Sequence, residues 1–173
     1  MSTRCSVFIA VSLDGFIARP NGAIDWLSSV EREGEDYGYK AFFDSVDALV
    51  LGRNTYEVAL GFEPWPYAGK RCFVLSHGAA AQHGVEIVSG TPGELVERLS
   101  GLGVQRAYID GGQVIQQFLA ARRVDDLTLS VLPILLGQGI RLFGELPADL
   151  PLELQSSRAF DSGLVQLTYR PHR

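Results

Sequence analysis

The stretch from Ala107 to Leu119 constrains the fold more than any other. A short β-forming run, Ala107-Tyr108-Ile109, meets Asp110 and the pair Gly111-Gly112, and Val114, Ile115, Phe118 and Leu119 then recur at helical spacing. The pattern predicts strand, tight turn and helix. Glycine lacks a Cβ, so the turn can take φ > 0 and a ligand can approach the main chain closely. The helix, expected to open at Gln113, points its unpaired N–H groups and positive dipole end into that space, which favours an anion such as a phosphate. The same two glycines serve equally well if they only close a strand-helix joint. Their context in the chain has to decide between the two.

That context alternates strand and helix. Ser6 to Leu13 is dense in β-branched and aromatic residues and uncharged, as a central strand buried on both faces would be. Asp14 to Gly22 follows with three turn signals in nine residues and predicts a mobile loop. Ile24 to Val30 and Tyr39 to Val46 read as helical pieces flanking a charged surface loop, Glu31 to Gly38. Strands are expected at Ala48 to Leu51, Arg71 to Leu75 and Val85 to Val88, with a short helix from Thr55 to Leu60. Thr91-Pro92-Gly93-Glu94 is a capping box, and Leu95, Leu99 and Leu102 form the apolar stripe of the helix it opens, closed by Gly101 or Gly103. Beyond the glycine helix come a strand at Leu127 to Leu132 and a glycine-punctuated connection, Leu135 to Phe143. An antiparallel pair, Leu152 to Ala159 with Leu164 to Tyr169, ends the chain. The whole predicts one α/β domain over residues 1–173, its sheet parallel in the body with an antiparallel C-terminal edge.

Charge and composition narrow the function. The net charge is -5, and Arg122-Arg123 is the nearest thing to a basic run, so nucleic acid is not an expected partner. No apolar run approaches ~18 residues, and the N-terminus lacks the basic-then-apolar pattern of a signal peptide; a cytoplasmic protein without a membrane span is expected. Cys5 and Cys72 stand apart among strand-forming residues and read as buried thiols. His77, His83 and His172 are scattered, and without an HxxxH or CxxC spacing no metal is expected.

Three predicted strands end in small or polar residues: at Gly52-Arg53-Asn54-Thr55, at Ser76-His77-Gly78 and at Asp110-Gly111-Gly112. Ligands of open α/β sheets collect at such carboxyl ends, and three of them suit a long ligand. Arg53 brings a planar cation matched to phosphate, Thr55 a hydroxyl that can cap its helix or bond a phosphate oxygen, and Ser76 and His77 further donors. Singly, each also reads as a surface cation, an N-cap or a turn residue.

Val50 to Glu57 and Tyr108 to Leu119 resemble the two cofactor-binding strand-helix starts of dihydrofolate reductases. Ser12 to Ala18, Gly22 to Leu27 and Leu132 to Phe143 resemble more closely the reductase domain of riboflavin biosynthesis and its small stand-alone relatives. The resemblance runs in order along nearly the whole chain. It implies a three-layer dihydrofolate reductase-like fold and NADPH as cofactor. By position, Ala10 and Ile17 would flank the nicotinamide, and Gly52, Arg53, Asn54 and Thr55 would hold phosphates of the adenosine half. Ser76 and His77 would lie beside the 2′-phosphate, while Ile109, Gly111, Gly112, Gln113, Val114 and Ile115 would wrap the pyrophosphate and nicotinamide side. Asp14, Asp25, Trp26 and Ser130 would face the substrate, with Asp25 the candidate catalytic acid; Asp25 at a helix start also reads as a cap, and Trp26 as a core residue. No HxE followed by CxxC is present, so the chain is expected to be at most the reductase half.

The resulting expectation is an NADPH-dependent reductase that transfers hydride to a C=N or C=O bond of a small pyrimidinone- or pterin-like heterocycle. A riboflavin-pathway substrate would need a basic site for its ribose phosphate, and none stands apart from the cofactor set. The alternative is a dimeric nucleotide-binding protein that keeps the cleft without turnover. A homodimer burying Leu129 to Leu136 would suit either.

Overall fold

The computed structural model describes residues 1–172. Strand β1 (Arg4–Ser12) runs through the middle of an eight-stranded sheet. The other strands are β3 (Ala48–Gly52), β4 (Arg71–Leu75), β5 (Glu86–Val88), β6 (Arg106–Asp110), β7 (Asp126–Leu132), β9 (Leu152–Ala159) and β10 (Val165–Pro171). Across the sheet their order is β5-β4-β3-β6-β1-β7-β10-β9. The first six pair in parallel, and β10 and β9 close one edge antiparallel. The α/β architecture expected from the alternation, parallel body and antiparallel C-terminal edge, is the architecture observed.

Period-two alternation assigns the two faces. On β6, Ala107 and Ile109 pack into one core with β1 residues Cys5 and Val7, under α3 (Pro92–Gly101) and α4 (Gly112–Ala120). Tyr108 points the other way, into a second core with Leu49 and Leu51 of β3 and Tyr56 and Ala59 of α2 (Arg53–Ala59). Phe42 of α1 (Tyr39–Asp44) joins the second core. A third cluster on that second side gathers Trp26 and Val30 of a 3-10 helix, Asp25–Val30, around Leu132 and Leu164. The capping box is formed: Thr91 Oγ1 accepts from the Glu94 N–H at 3.2 Å, and Glu94 accepts from the Thr91 N–H at 2.8 Å.

Two expectations are corrected here. Asp14 to Gly22 is no free loop, because it contains β2 (Phe16–Ala18), paired antiparallel with β8 (Ile140–Arg141) from the connection after β7. The Asp14 carboxylate ties that flap down by accepting from Ser12 Oγ at 2.6 Å and from the N–H groups of Leu136 and Gly137. Leu129 and Leu132, expected to be covered by a second subunit, are buried within this chain, since β7 lies between β1 and β10; Leu135 remains exposed. No helix among the described residues is long and apolar enough to cross a membrane.

Candidate active site

The site follows from the strand order. The chain leaves β3 through α2 on one face of the sheet and leaves the adjacent β6 through α4 on the other. Where neighbouring strands send their helices to opposite faces, the sheet opens a crevice at its carboxyl end. Gly52, ending β3, and Gly111, following β6, stand on either side of it. A cleft of roughly 1570 Å³ extends from there.

The glycines are required by packing as well as by any ligand. Gly111 sits at φ 111°, and a Cβ there would lie 2.8 Å from Thr55 Oγ1 and 3.3 Å from the Gly52 nitrogen. A Cβ on Gly112 would lie 3.1 Å from the Ile17 Cδ1 atom of the flap and 3.1 Å from the Arg141 carbonyl oxygen. Two helix starts and the flap therefore touch without side chains between them. Gly52 and Gly111 are the N-caps of α2 and α4, and neither supplies a side-chain acceptor, whereas α3, elsewhere in the fold, is fully capped. The first-turn N–H groups of α4 are thus left for a ligand in the cleft. Thr55 lies in the third helical position of α2, so it is not the cap its sequence position suggested.

Most of the residues singled out from the sequence line this one cleft. Gly52, Arg53, Asn54 and Thr55 bring β3 and α2 to it, Ser76 and His77 the end of β4, and Gly111, Gly112, Gln113 and Val114 the start of α4. Ala10, Ile17 and Ser130 line its other arm. Ser76 Oγ accepts from the Gly78 and Ala79 N–H groups, which fixes the turn after β4. Ser130 Oγ accepts from Gln166 Nε2 at 3.0 Å, leaving its proton directed elsewhere.

Five residues stand away from the cleft. Ile109 of β6 and Ile115 on the inner face of α4 are wholly buried in the first core. Trp26, 3% exposed, packs with Val30, Leu132 and Leu164, and its indole N–H has no acceptor; it fills a core and offers no face for stacking. Asp14 pins the flap. Asp25, its side chain 65% exposed, pairs with Arg19 at 2.7 Å, and the guanidinium holds its carboxyl below the usual range. An ionised, solvated carboxylate outside the cleft is a poor proton donor. Asp25 does not cap its helix either, for Ile24 is the N-cap.

Asp110, which the sequence put at a ligand-collecting strand end without giving it a role, is the further titratable residue of the site. It ends β6 on the face of Tyr108, and both line the cleft together with Tyr39 and Tyr67. Tyr67 Oη donates to Asp110 Oδ2 at a long 3.5 Å, and the Tyr108 hydroxyl reaches both the Asp110 carboxyl and the Phe8 carbonyl oxygen, the latter at 3.2 Å. Burial pushes the Asp110 carboxyl up to about 6, against the opposing pull of the Gly111 N–H and the two phenols. Burial and the carboxylate likewise raise Tyr39 to about 12 and push Tyr67 and Tyr108 well above the usual phenol range.

The family model of the RibD C-terminal domain matches residues 5–166. The chain belongs to that family. It is 36% identical over 98% of its length to YwjB of Bacillus subtilis (strain 168), covering 98% of that protein. The crystal structure of a Shewanella sp. PV-4 protein named for riboflavin biosynthesis superposes with a TM-score of 0.92 at 40% identity, over 99% of this chain and 100% of that one. A dihydrofolate reductase from Enterococcus faecalis, complexed with NADP(H) and RAB-propyl, shares the fold at a TM-score of 0.64 and 18% identity, with 100% of each chain covered. The chain carries a RibD C-terminal-type domain with a reductase-like fold. In this RibD C-terminal-type domain the signal that would have found Asp110 is the alternation along β6: Tyr108 and Asp110 necessarily share a face.

Proposed function

We propose that this protein is an NADPH-dependent reductase transferring hydride to a C=N or C=O bond of a small pyrimidinone- or pterin-like heterocycle. The observation that carries the reading is the convergence of three strand ends, with glycine-capped helix starts, Arg53, Ser76 and His77, on one cleft of roughly 1570 Å³. Bound NADPH supplies a hydride. Arg53, Thr55, Ser76 and His77 would hold its adenosine phosphates, and the backbone at Gly111 to Val114 its pyrophosphate. Ala10 and Ile17 would border the nicotinamide, and the apolar lining from Ile24, Leu27, Leu132 and Leu164 would keep water from the reacting bond. The Glu31 to Tyr39 side of the cleft carries Glu31, Glu33, Glu35 and Asp36 against the single cation Arg32. That balance suits an unphosphorylated heterocycle better than a sugar phosphate. The test is a fluorescence titration with NADPH in EDTA followed by NADPH oxidation in the presence of pterin and pyrimidinone acceptors. Saturable binding and oxidation are expected, and a protein that leaves NADPH unbound is no reductase of this kind. Binding without oxidation of any acceptor would favour a nucleotide-binding protein without turnover.

A further inference from the structure

Reduction of a C=N bond consumes a proton as well as a hydride, and with Asp25 outside the cleft the source of that proton is open. Asp110 is the carboxyl group on the cleft's sheet floor. It lies on the same sheet face as Ala10 and Ser130 and immediately precedes the glycine pair that begins α4. What faces it from each packed element is neutral in the working range: Tyr39 from α1, Tyr67 from the segment before β4, Tyr108 beside it on β6, Leu51 from β3 and Phe8 from β1. Behind Tyr67 lies the Cys72 thiol, itself pushed up to about 12 by burial. Among the described residues no Lys, Arg or His forms an ion pair with Asp110. A merely structural carboxylate in such a place would be expected to carry a cation partner. Burial with no cation partner describes instead a carboxyl kept able to hold a proton near neutral pH, even though the phenols that position it favour its ionised form; holding that proton is what a general acid needs.

We propose that Asp110 is the proton donor of the reduction, its carboxyl positioned by Tyr67 and Tyr108. The proposal rests on the reductase reading above. The acceptor carbon gains the hydride and forms a C–H bond, and the π pair of the C=N bond moves to nitrogen. That nitrogen takes the proton from the Asp110 O–H, leaving a carboxylate that regains a proton from water at the cleft mouth. The substrate is reduced by two electrons and NADPH is oxidised.

The first measurement needs no cofactor. A folded-state value near 6, above the ordinary 3.8, means that the native protein binds this proton more tightly than the unfolded chain does. The cost of ionising Asp110 is therefore absent below about pH 4, grows between about 4 and 6 and is constant above. Asp110→Asn should gain Tm relative to the wild type as pH rises through that window, by several degrees. A flat Tm difference places the carboxyl in the ordinary range and overturns the proposal whatever the cofactor does. The second measurement uses dihydrofolate and 7,8-dihydrobiopterin, each with a C=N bond in its ring, as acceptors. Wild-type kcat/KM should fall above about pH 6, and Asp110→Asn should bind NADPH as the wild type does while losing roughly a hundredfold or more in turnover. Asp110→Glu should recover part of it. Tyr67→Phe, by removing a donor that favours the carboxylate, should move the falling limb to higher pH, which loss of packing alone would not do. Turnover retained in Asp110→Asn sinks the proposal and leaves the reductase reading standing. A wild type that binds NADPH and reduces neither probe counts against the reductase reading, and the proposal falls with it.

Discussion

At the scale of single residues, Arg53 shows how a surface pair can serve a ligand. Its Nε lies 3.0 Å from Glu57 Oε1, one helical turn on, and both side chains are more than half exposed. Such pairs are weak, so the guanidinium can turn to a stronger, doubly charged acceptor. If that acceptor is the 2′-phosphate, which NADH lacks, Arg53→Ala should weaken NADPH binding by roughly ten- to a hundredfold, from ~1.5–3 kcal/mol lost, and NADH hardly at all. The wild-type preference should also shrink as salt rises. Dissociation constants for both cofactors at two salt concentrations check this, and equal losses would move Arg53 to a phosphate that the two share. Arg53, Ser76 and His77 were legible because a charged or hydroxyl side chain straight after an apolar strand has few places to be but the strand's mouth. For Trp26 the core reading, offered beside the stacking one, is the one observed; the place of Asp25 was not legible, because sequence gives position along a helix start but not which way that start is rolled. The roll is set by Val30, Leu132 and Leu164, which draw Trp26 inward and leave Asp25 to Arg19.

At the scale of elements, the flap of β2 and β8 is the part of the site that sequence described least well. Its strands have three and two residues, too short for periodicity to register. What holds them is long-range: the Leu142 N–H donating to Gly15 O at 3.0 Å, the Asp14 carboxylate on Leu136 and Gly137, and the approach of Gly139 to Ala18. Gly139 has φ 148°, and a Cβ there would stand 2.2 Å from the Ala18 carbonyl oxygen. Gly139→Ala should therefore separate the two strands while leaving the main sheet folded. Hydrogen exchange at Ala18 and Leu142 is expected to rise about tenfold or more, with amides in β6 unchanged. Cofactor affinity should fall with it, since Ile17 and Ile140 reach the cleft from this flap. Unchanged exchange in the variant would show that the flap is held by something other than this close approach. By contrast, the α3 capping box was readable residue by residue, because every contact in it spans at most three positions.

At the scale of the whole molecule, a ligand that bridges the ends of β3, β4 and β6 adds contacts at the strand mouths to the parallel ladder that already joins them. Binding to the folded form alone raises stability by ~2.7 kcal/mol at a hundred times Kd. For a chain of 173 residues at ~2–4 °C per kcal/mol, NADPH in EDTA should raise Tm by about 5–10 °C. No rise at saturating NADPH would mean that the cleft does not take it. The sequence by itself determined the local vocabulary of this protein: which runs are strands of the main sheet, where α3 begins, that β1 is central, and that three strand ends finish in residues suited to phosphate. Those properties depend on side-chain period, β-branching and contacts a few residues apart, all of which are written along the chain. Only the tertiary structure decided that β6 inserts between β3 and β1 and sends its helix to the face opposite α2, which opens the crevice there. It alone brought Tyr39 and Tyr67 into reach of Asp110 and took Asp25 out of the site. Strand order and helix roll are settled by how apolar faces from distant segments share a core, and that is a sum over contacts no local pattern records.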